Sequence, residues 1–201
     1  DAADTVCSQI EGAPIRCLQD NFSADFLSSD WVEVNEFGSD ISQVGGLLRL
    51  TATPEVNGIV GVRSSRKYDV HSSAFTMQIL SFSNVPGLQA SIELLASDVA
   101  GVVFGCADGM LFKTSGMQDW VLRSIDHACA PPIWLRIREQ SGVIDFEVST
   151  TGLAGDWKSV ETDDTKGRLV LSRLEARILI KTTKALSEGY LEVDNVNQPP
   201  E

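Results

Sequence analysis

The chain has 201 residues, of which 28 are acidic and 16 are basic, so its formal net charge is −12. This charge argues against a nucleic-acid-binding surface, which needs clustered Lys and Arg, and against electrostatic docking on anionic lipid. Hydrophobic residues make up 43% of the sequence, as in folded proteins. No stretch approaches the ~20 apolar residues of a membrane helix. The length fits one large β-domain or two small domains.

Short apolar or alternating runs, each bounded by turn residues, predict an all-β protein. Thirteen such runs favour a two-sheet sandwich over βαβ units. The pattern of residues 168–176 fits either a short helix or a strand and a corner. A hairpin is predicted at Asp108-Gly109, a pair that suits a type I′ turn. In chain order, the predicted strands are 31–36, 47–52, 59–63, 75–82, 88–96, 102–107, 110–114, 120–125, 133–139, 143–149, 157–161, 177–182 and 190–196.

Four cysteines indicate two disulfides. None of them forms a Cys-x-x-Cys pair and the chain has only two histidines, which argues against a zinc site. We prefer the pairs Cys7–Cys17 and Cys106–Cys129 because each closes a local loop. The alternative is four buried free thiols in a cytosolic protein. With two disulfides, we expect an exported protein that is extracellular, on the cell surface or periplasmic.

One hairpin can be placed in register. If Ser141-Gly142 is a two-residue turn, Arg138 lies opposite Asp145 and Arg136 lies opposite Glu147. One face of the hairpin is then a double row of opposite charges, and the other is wholly apolar. A slip of one residue would destroy both faces, so the pattern favours a half-buried antiparallel sheet. The apolar pairs are Ile137 with Phe146 and Leu135 with Val148.

The same hairpin carries a family resemblance. Residues 134–138, followed by Ser149, Gly152 and Trp157, resemble the W-x-R-I-x-R…S-x-x-G-x-x-W signature of concanavalin A-like lectin/glucanase domains, and the laminin-G-like group is the most similar branch. The likeness extends over residues 20 to 197 and implies a jelly-roll sandwich of two antiparallel sheets. We therefore expect a disulfide-stapled N-terminal extension at 1–19, the sandwich at 20–197 and a tail at 198–201. The other matching motifs are Asp20, Phe22, Leu27 and Trp31 at the start, 46–50 in the second strand and 193–196 at the end.

The resemblance also implies where a catalytic site would lie. Enzymatic members carry Glu-x-Asp-x-Glu on one strand, with the first Glu as nucleophile and the last as acid/base. In the run 143–147, Asp145 and Glu147 match the last two positions, but Val143 stands where the nucleophile should be. The arginine opposite each carboxylate also favours its ionised form, which works against a general acid. We therefore expect no catalytic residue and no enzyme.

A sugar site typically combines an aromatic face with a few fixed polar groups. Trp120 is the best candidate for an aromatic residue that contacts the sugar from a loop. Trp134 lies on the charged face of the hairpin, where it would either contact a ligand or pack under a covering loop. Tyr68 lies among charges, although it can also be a strand-end aromatic residue over the rim. The predicted ligand-binding residues are Trp120, Trp134, Tyr68, Arg136, Arg138, Asp145 and Glu147.

The resemblance raises a structural calcium ion as well. Oxygen ligands are plentiful at Asp20, Asp194, Asn195 and residues 161–164, but none has a diagnostic spacing, so no ligands are assigned. The sequence thus predicts a secreted or cell-surface, non-catalytic carbohydrate-binding module without a required cofactor. Its expected partner is an oligosaccharide, a polysaccharide or a cell-surface protein. The alternative is a structural or protein-interaction domain on the same scaffold, and a glycoside hydrolase is the third hypothesis.

Overall fold

The structure is a computed structural model that describes residues 7, 11–35, 39–52, 58–117, 122–165, 169–184 and 188–198. These residues form sixteen strands and one 3-10 turn, at Ile15–Cys17. The strands are β1 (Ala13–Pro14), β2 (Trp31–Asn35), β3 (Asp40–Val44), β4 (Leu47–Ala52), β5 (Ile59–Ser64), β6 (Tyr68–Asp69), β7 (Ala74–Phe82), β8 (Leu88–Ser97), β9 (Ala100–Ala107), β10 (Met110–Met117), β11 (Arg123–Ala128), β12 (Ile133–Gln140), β13 (Val143–Ser149), β14 (Lys158–Asp164), β15 (Glu175–Thr182) and β16 (Gly189–Asp194).

The strands build two seven-stranded antiparallel sheets that pack face to face. The front sheet has the order β11-β10-β9-β8-β15-β5-β2, and the back sheet has the order β14-β13-β12-β7-β16-β4-β3. Strands β1 and β6 form a separate parallel pair. The predicted all-β jelly-roll sandwich is confirmed.

Each of the thirteen predicted strands has a counterpart in the structure, and three further strands were not predicted. Two of these, β1 and β6, have only two residues each. The third, β3, is an edge strand with no fully buried residue, so its sequence lacks an apolar run. The ambiguous segment ends in a turn followed by β15, so its described part is a corner and a strand.

The hairpin of β12 and β13 has the predicted register. Arg138 pairs with Asp145, Arg136 with Glu147, Ile137 with Phe146 and Leu135 with Val148. Ser141 and Gly142 both have positive φ, 56° and 85°, as a type I′ turn requires.

Phe146 anchors the apolar face of this hairpin in the core. Its side chain is buried, and its ring contacts Phe104 of the front sheet edge-on, with 5.4 Å between the ring centroids. The hairpin thus presents its apolar face to the opposite sheet and its charges to the outside.

The described part of the N-terminal segment packs against the sandwich. Ile15 and Leu18 are fully buried members of the core. The side-chain amide of Asn197 donates to the carbonyl oxygens of both, at 2.9 Å and 2.8 Å. The division of the chain at residues 19 and 197 stays a prediction.

Two disulfides are present, Cys7–Cys17 and Cys106–Cys129, which are the two pairs that we preferred. Cys106 lies in β9 and Cys129 follows β11, so this bond fastens the three-stranded edge of the front sheet. In the parts of the chain that the structure describes, we find no helix with the length and apolarity needed to cross a bilayer.

Candidate active site

The outer face of the front sheet carries a groove of about 370 Å³. Residues from five strands, β5, β8, β9, β10 and β15, line it. One side of the groove is apolar, with Leu95, Val103, Phe112 and Leu122. The remaining lining residues are Ile59, Thr114 and the polar or charged residues Gln89, Ser91, Glu93, Asp98, Arg177 and Lys181.

The alternation of β8 explains why polar side chains reach this surface. Successive strand residues point to opposite faces. Ala90, Ile92 and Leu94 face the core, and the residues between them face the groove. The signal in the sequence is therefore a polar residue at every second position of an otherwise apolar strand.

Two glycines border the groove floor on the same outward-facing side. Gly105 of β9 pairs with Ser91, and Gly61 of β5 pairs with Leu179. A Cβ atom at either glycine would lie 2.0 Å from a backbone carbonyl oxygen of the neighbouring strand. Glycine is thus required there, because the neighbouring strand lies too close for any side chain.

Glu93 is the buried carboxylate of the groove. Its residue surface is only 1% exposed. The Oε1 atom accepts hydrogen bonds from Lys181 Nζ at 2.6 Å and from Ser91 Oγ at 3.1 Å. Arg177 is its cross-strand partner on β15. A buried charge is tolerated when cations and hydrogen-bond donors surround it, so Glu93 is a fixed and oriented anion.

Arg177 links this carboxylate to Asp98 in the groove and to Glu175 on its own strand. Its guanidinium donates to Glu175 Oε1 at 2.5 Å and to Asp98 Oδ1 at 3.2 Å. Arg63 holds the other oxygen of Glu175 at 3.0 Å. Burial lowers the pKa of Arg177, but the hydrogen bond and charge of Glu175, together with Asp98 and Glu93, outweigh it and raise the pKa. Arg177 therefore stays a cation between Glu93 and Asp98.

Strand β8 has the spacing of the glucanase motif, which we had sought in the back sheet. Gln89, Ser91 and Glu93 occupy alternate positions on one face, as Glu-x-Asp-x-Glu would, but only the last is a carboxylic acid. Sequence reasoning missed this strand because it searched for three carboxylates together, and Glu93 is the one carboxylate of β8.

Four of the predicted binding residues form a charge ladder on the outer face of the back sheet. Arg136 Nε contacts Glu147 Oε2 at 2.5 Å, and Arg138 lies 3.2 Å from Asp145 and 3.1 Å from Glu147. The Arg136 guanidinium also stacks on the Trp157 ring, 3.9 Å from its centroid. These groups pair with one another, although Arg138 Nε has no hydrogen-bond partner among the described residues, and they lie on the opposite side of the sandwich from the groove.

Two of the three predicted aromatic platforms, Trp134 and Tyr68, are buried. Trp134 is 2% exposed, because the loop at Gly152 lies over its ring. Tyr68 is fully buried, and its hydroxyl accepts a hydrogen bond from Arg66 at 3.0 Å. Burial raises the pKa of Tyr68 although the contact with Arg66 opposes it. Trp120 lies outside the described residues.

The acidic groups considered as calcium ligands are engaged within the protein. Asp20 accepts hydrogen bonds from the Phe22 amide at 2.7 Å and from Trp31 Nε1 at 3.0 Å. Asp194 accepts from Asn195. Over the described ranges, no group of three or more His, Cys, Asp or Glu residues could hold a metal ion.

No protein-family model and no curated protein matches this chain. Solved structures do share its fold. The apo Crh5 transglycosylase has a TM-score of 0.68 and 11% identity, and the match covers 89% of this chain and 81% of that protein. A prokaryotic β-1,3-1,4-glucanase (lichenase) derived from a mouse hindgut metagenome has a TM-score of 0.65 and 12% identity, with coverages of 89% and 96%. A β-1,3-glucanase from Mycobacterium marinum has a TM-score of 0.65 and 11% identity, again with coverages of 89% and 96%.

These matches establish the concanavalin A-like jelly roll of the glucanases as the fold. They also correct two expectations. The prediction of a non-catalytic module, either lectin-like or structural, is wrong by this comparison, because the matching structures are a transglycosylase and glucanases. The laminin-G-like branch is not supported, because the matching structures are catalytic enzymes. Val143 breaks the motif in the back sheet, and Gln89 and Ser91 break it in the front sheet, so neither strand has the three carboxylates that the sequence pattern would need.

Proposed function

We propose that this chain is an enzyme that cleaves or transfers glycosidic bonds of a polysaccharide bound in the front-sheet groove. The observation that carries the proposal is Glu93, a buried and oriented carboxylate at the groove floor. The structural neighbours named as glucanases and a transglycosylase support the same class of reaction. In proteins of this kind, carboxylates supply both the attacking group and the proton.

Glu93 matches the acid/base position of the motif, but its contact with Lys181 favours the ionised form, so we assign it to face the reacting carbon. Within the described residues, its hydrogen bonds both fall on Oε1, which leaves Oε2 for the substrate. Glycosidic cleavage develops positive charge on the sugar ring, and a preorganised anion stabilises that charge. Lys181 and Ser91 would hold the carboxylate in place while the ring moves toward it.

Asp98 is the second carboxylate of the proposed mechanism. It lines the groove beside Leu95, is exposed, and is tied to Arg177. An exposed carboxylate can accept a proton from a water beside the sugar, and the contact with Arg177 favours the ionised form that this role needs, while the leaving oxygen takes its proton from solvent. Gln89 stands at the motif position of the nucleophile, and an amide cannot perform that role. The catalytic pair would therefore come from Glu93 and Asp98.

The two disulfides bear on the compartment in which the proposed enzyme would act. The two disulfides fit an oxidising compartment, so we propose that the protein acts outside the cytoplasm on an extracellular polysaccharide.

The test is turnover of a panel of β-glucans and other polysaccharides, read as new oligosaccharides by mass spectrometry. We expect Glu93→Gln to lower the rate by about 10³-fold or more, because it removes the negative charge that faces the sugar. The matched control is Glu192→Gln, which breaks a surface pair with Arg49 on the back sheet and should keep the activity. Thermal melts check that both variants fold. Wild-type protein without turnover on any polysaccharide, or a fully active Glu93→Gln variant, would overturn the proposal.

A further inference from the structure

A hydroxyl without a partner lies in the apolar side of the groove. Thr114 of β10 lines the groove and is 8% exposed. Its Oγ1 has no hydrogen-bond partner in the part of the chain that the structure describes. Buried polar atoms are nearly always paired, so an orphan in a ligand groove indicates that a ligand completes it.

The register places this hydroxyl relative to the carboxylate. Thr114 pairs with Val103 on β9, and Val103 pairs with Glu93 on β8. All three side chains therefore lie in one row across the strands. The distance from Thr114 to Glu93 along that row is about 10 Å, twice the strand spacing. A polysaccharide that crosses the strands at Glu93 would place a neighbouring sugar unit at Thr114.

The surroundings of Thr114 define the chemistry of the group that fits. Val103, Phe112 and Leu122 are the apolar residues next to it in the groove. A sugar hydroxyl there would have a donor and two acceptor sites and only one polar partner, which is costly. An acetyl group fits better, because its carbonyl oxygen accepts one hydrogen bond and its methyl group packs on apolar side chains.

We propose that Thr114 and the apolar side of the groove form a subsite for an acetyl substituent of the polysaccharide, with the Thr114 hydroxyl donating to the acetyl carbonyl. The inference rests on the proposed function because it takes the polysaccharide to run past Glu93. It makes Thr114 a specificity-determining residue and an acetylated polysaccharide the substrate class. The acetyl group can come from an N-acetylated or an O-acetylated sugar.

The experiment is calorimetric titration of the full chain carrying Glu93→Gln, so that the ligand is not consumed. The first arm compares two uncharged β-1,4-linked pentasaccharides that differ at carbon 2, N-acetylchitopentaose and cellopentaose. The second arm compares O-acetylated xylo-oligosaccharides before and after alkaline removal of the acetyl groups. The shift in melting temperature of wild-type protein with the same ligands is a second measurement.

We expect tighter binding of the acetylated ligand in one of the two arms, and that arm identifies the source of the acetyl group. Thr114→Val, which keeps the shape and removes the hydroxyl, should reduce the preference by about tenfold. Thr114→Ser, which keeps the hydroxyl, should retain it. Equal binding of each pair, no binding in either arm, or an unchanged preference in Thr114→Val would overturn the subsite. If the preference is found but wild-type protein turns over no polysaccharide, the proposed function fails while the subsite stands.

Discussion

Asp156 holds the loop that covers Trp134. Its Oδ2 atom accepts hydrogen bonds from the Ser149 hydroxyl at 2.8 Å and from the amides of Thr150 and Thr151 at 3.0 Å and 3.1 Å. The hydroxyls of both threonines donate to the same atom. These hydrogen bonds, led by Ser149, hold the pKa of Asp156 well below its ordinary value. The hydrogen bonds to this carboxylate thus hold the loop in place of backbone hydrogen bonds between strands.

The low pKa makes the stability of the loop pH-dependent. Because the folded-state pKa lies below the ordinary value of 3.8, the contribution of Asp156 is fully present above that pH and is lost as the pH falls through the folded-state value. We expect Asp156→Asn to lower the free energy of unfolding at neutral pH. The difference from wild type should narrow between about pH 5 and about pH 2. Urea titrations followed by tryptophan fluorescence measure it, and a difference independent of pH would contradict the role given to the carboxylate.

Thr114 is a residue where we expect function and stability to conflict. A buried hydroxyl without a partner costs roughly 1–3 kcal/mol, so Thr114→Val should unfold at the same or a higher urea concentration than wild type in the absence of sugar. Thr114→Ser, which keeps the orphan hydroxyl and leaves a small cavity, should be less stable than Thr114→Val. Equilibrium unfolding of the two variants measures this order, and the reverse order would indicate that the hydroxyl has a partner in solution.

Among the elements, the hairpin of β12 and β13 was predictable from sequence because its pairing is local. Its turn, its charge rows and its apolar face are all within 17 consecutive residues, Ile133–Gln140 and Val143–Ser149 with the turn between them. Each of these features requires the same register. The turn at Asp108-Gly109 was predictable for the same reason, and both of its residues have positive φ.

The site was not predictable in this way, because its elements are far apart in the sequence. Glu93 meets Arg177 and Lys181 only because β8 pairs with β15. A single sequence contains no signal for that pairing, so the carboxylate looked like an isolated charge in an apolar run. The burial of Tyr68 and Trp134 was hidden for a related reason, since each is covered by a loop or segment that is remote from its own strand pattern.

The turn of the hairpin gives a prediction at the scale of the element. Gly142 has a φ of 85°, a conformation that side chains with a Cβ atom disfavour. Gly142→Ala should therefore destabilise the protein by about 1 kcal/mol. The control is Gly155→Ala, at an exposed loop position with no atom near the new Cβ and no positive φ, which should change the stability by less than about 0.5 kcal/mol. Chemical denaturation measures both, and equal effects would contradict the turn geometry.

At the scale of the whole molecule, the two sheets have different roles. The back sheet directs a ladder of ion pairs outward, whereas the front sheet has an oriented anion and an unpartnered hydroxyl in a groove. The composition, the disulfide pairs and the sandwich followed from the sequence. The sequence did not show which sheet has the groove. The reason is that the strand order β11-β10-β9-β8-β15-β5-β2 is set by packing of the complete chain.

The disulfide between Cys106 and Cys129 fastens the edge of the front sheet that carries Thr114. It closes a segment with a sequence separation of 23. Replacing both cysteines by alanine should lower the free energy of unfolding by about 3 kcal/mol, because the unfolded chain gains conformational freedom. Denaturation under non-reducing conditions measures this loss. A double variant as stable as wild type would show that the edge strands hold without the bond.

The most direct test of the account is a crystal structure of the Glu93→Gln variant with an oligosaccharide that the wild-type protein turns over. We predict that the sugar chain lies across the strands of the front sheet, with a glycosidic oxygen or anomeric carbon within about 3.5 Å of the side chain at position 93. A sugar chain on the back sheet beside Arg136 and Arg138, or in the groove but far from residue 93, would contradict it.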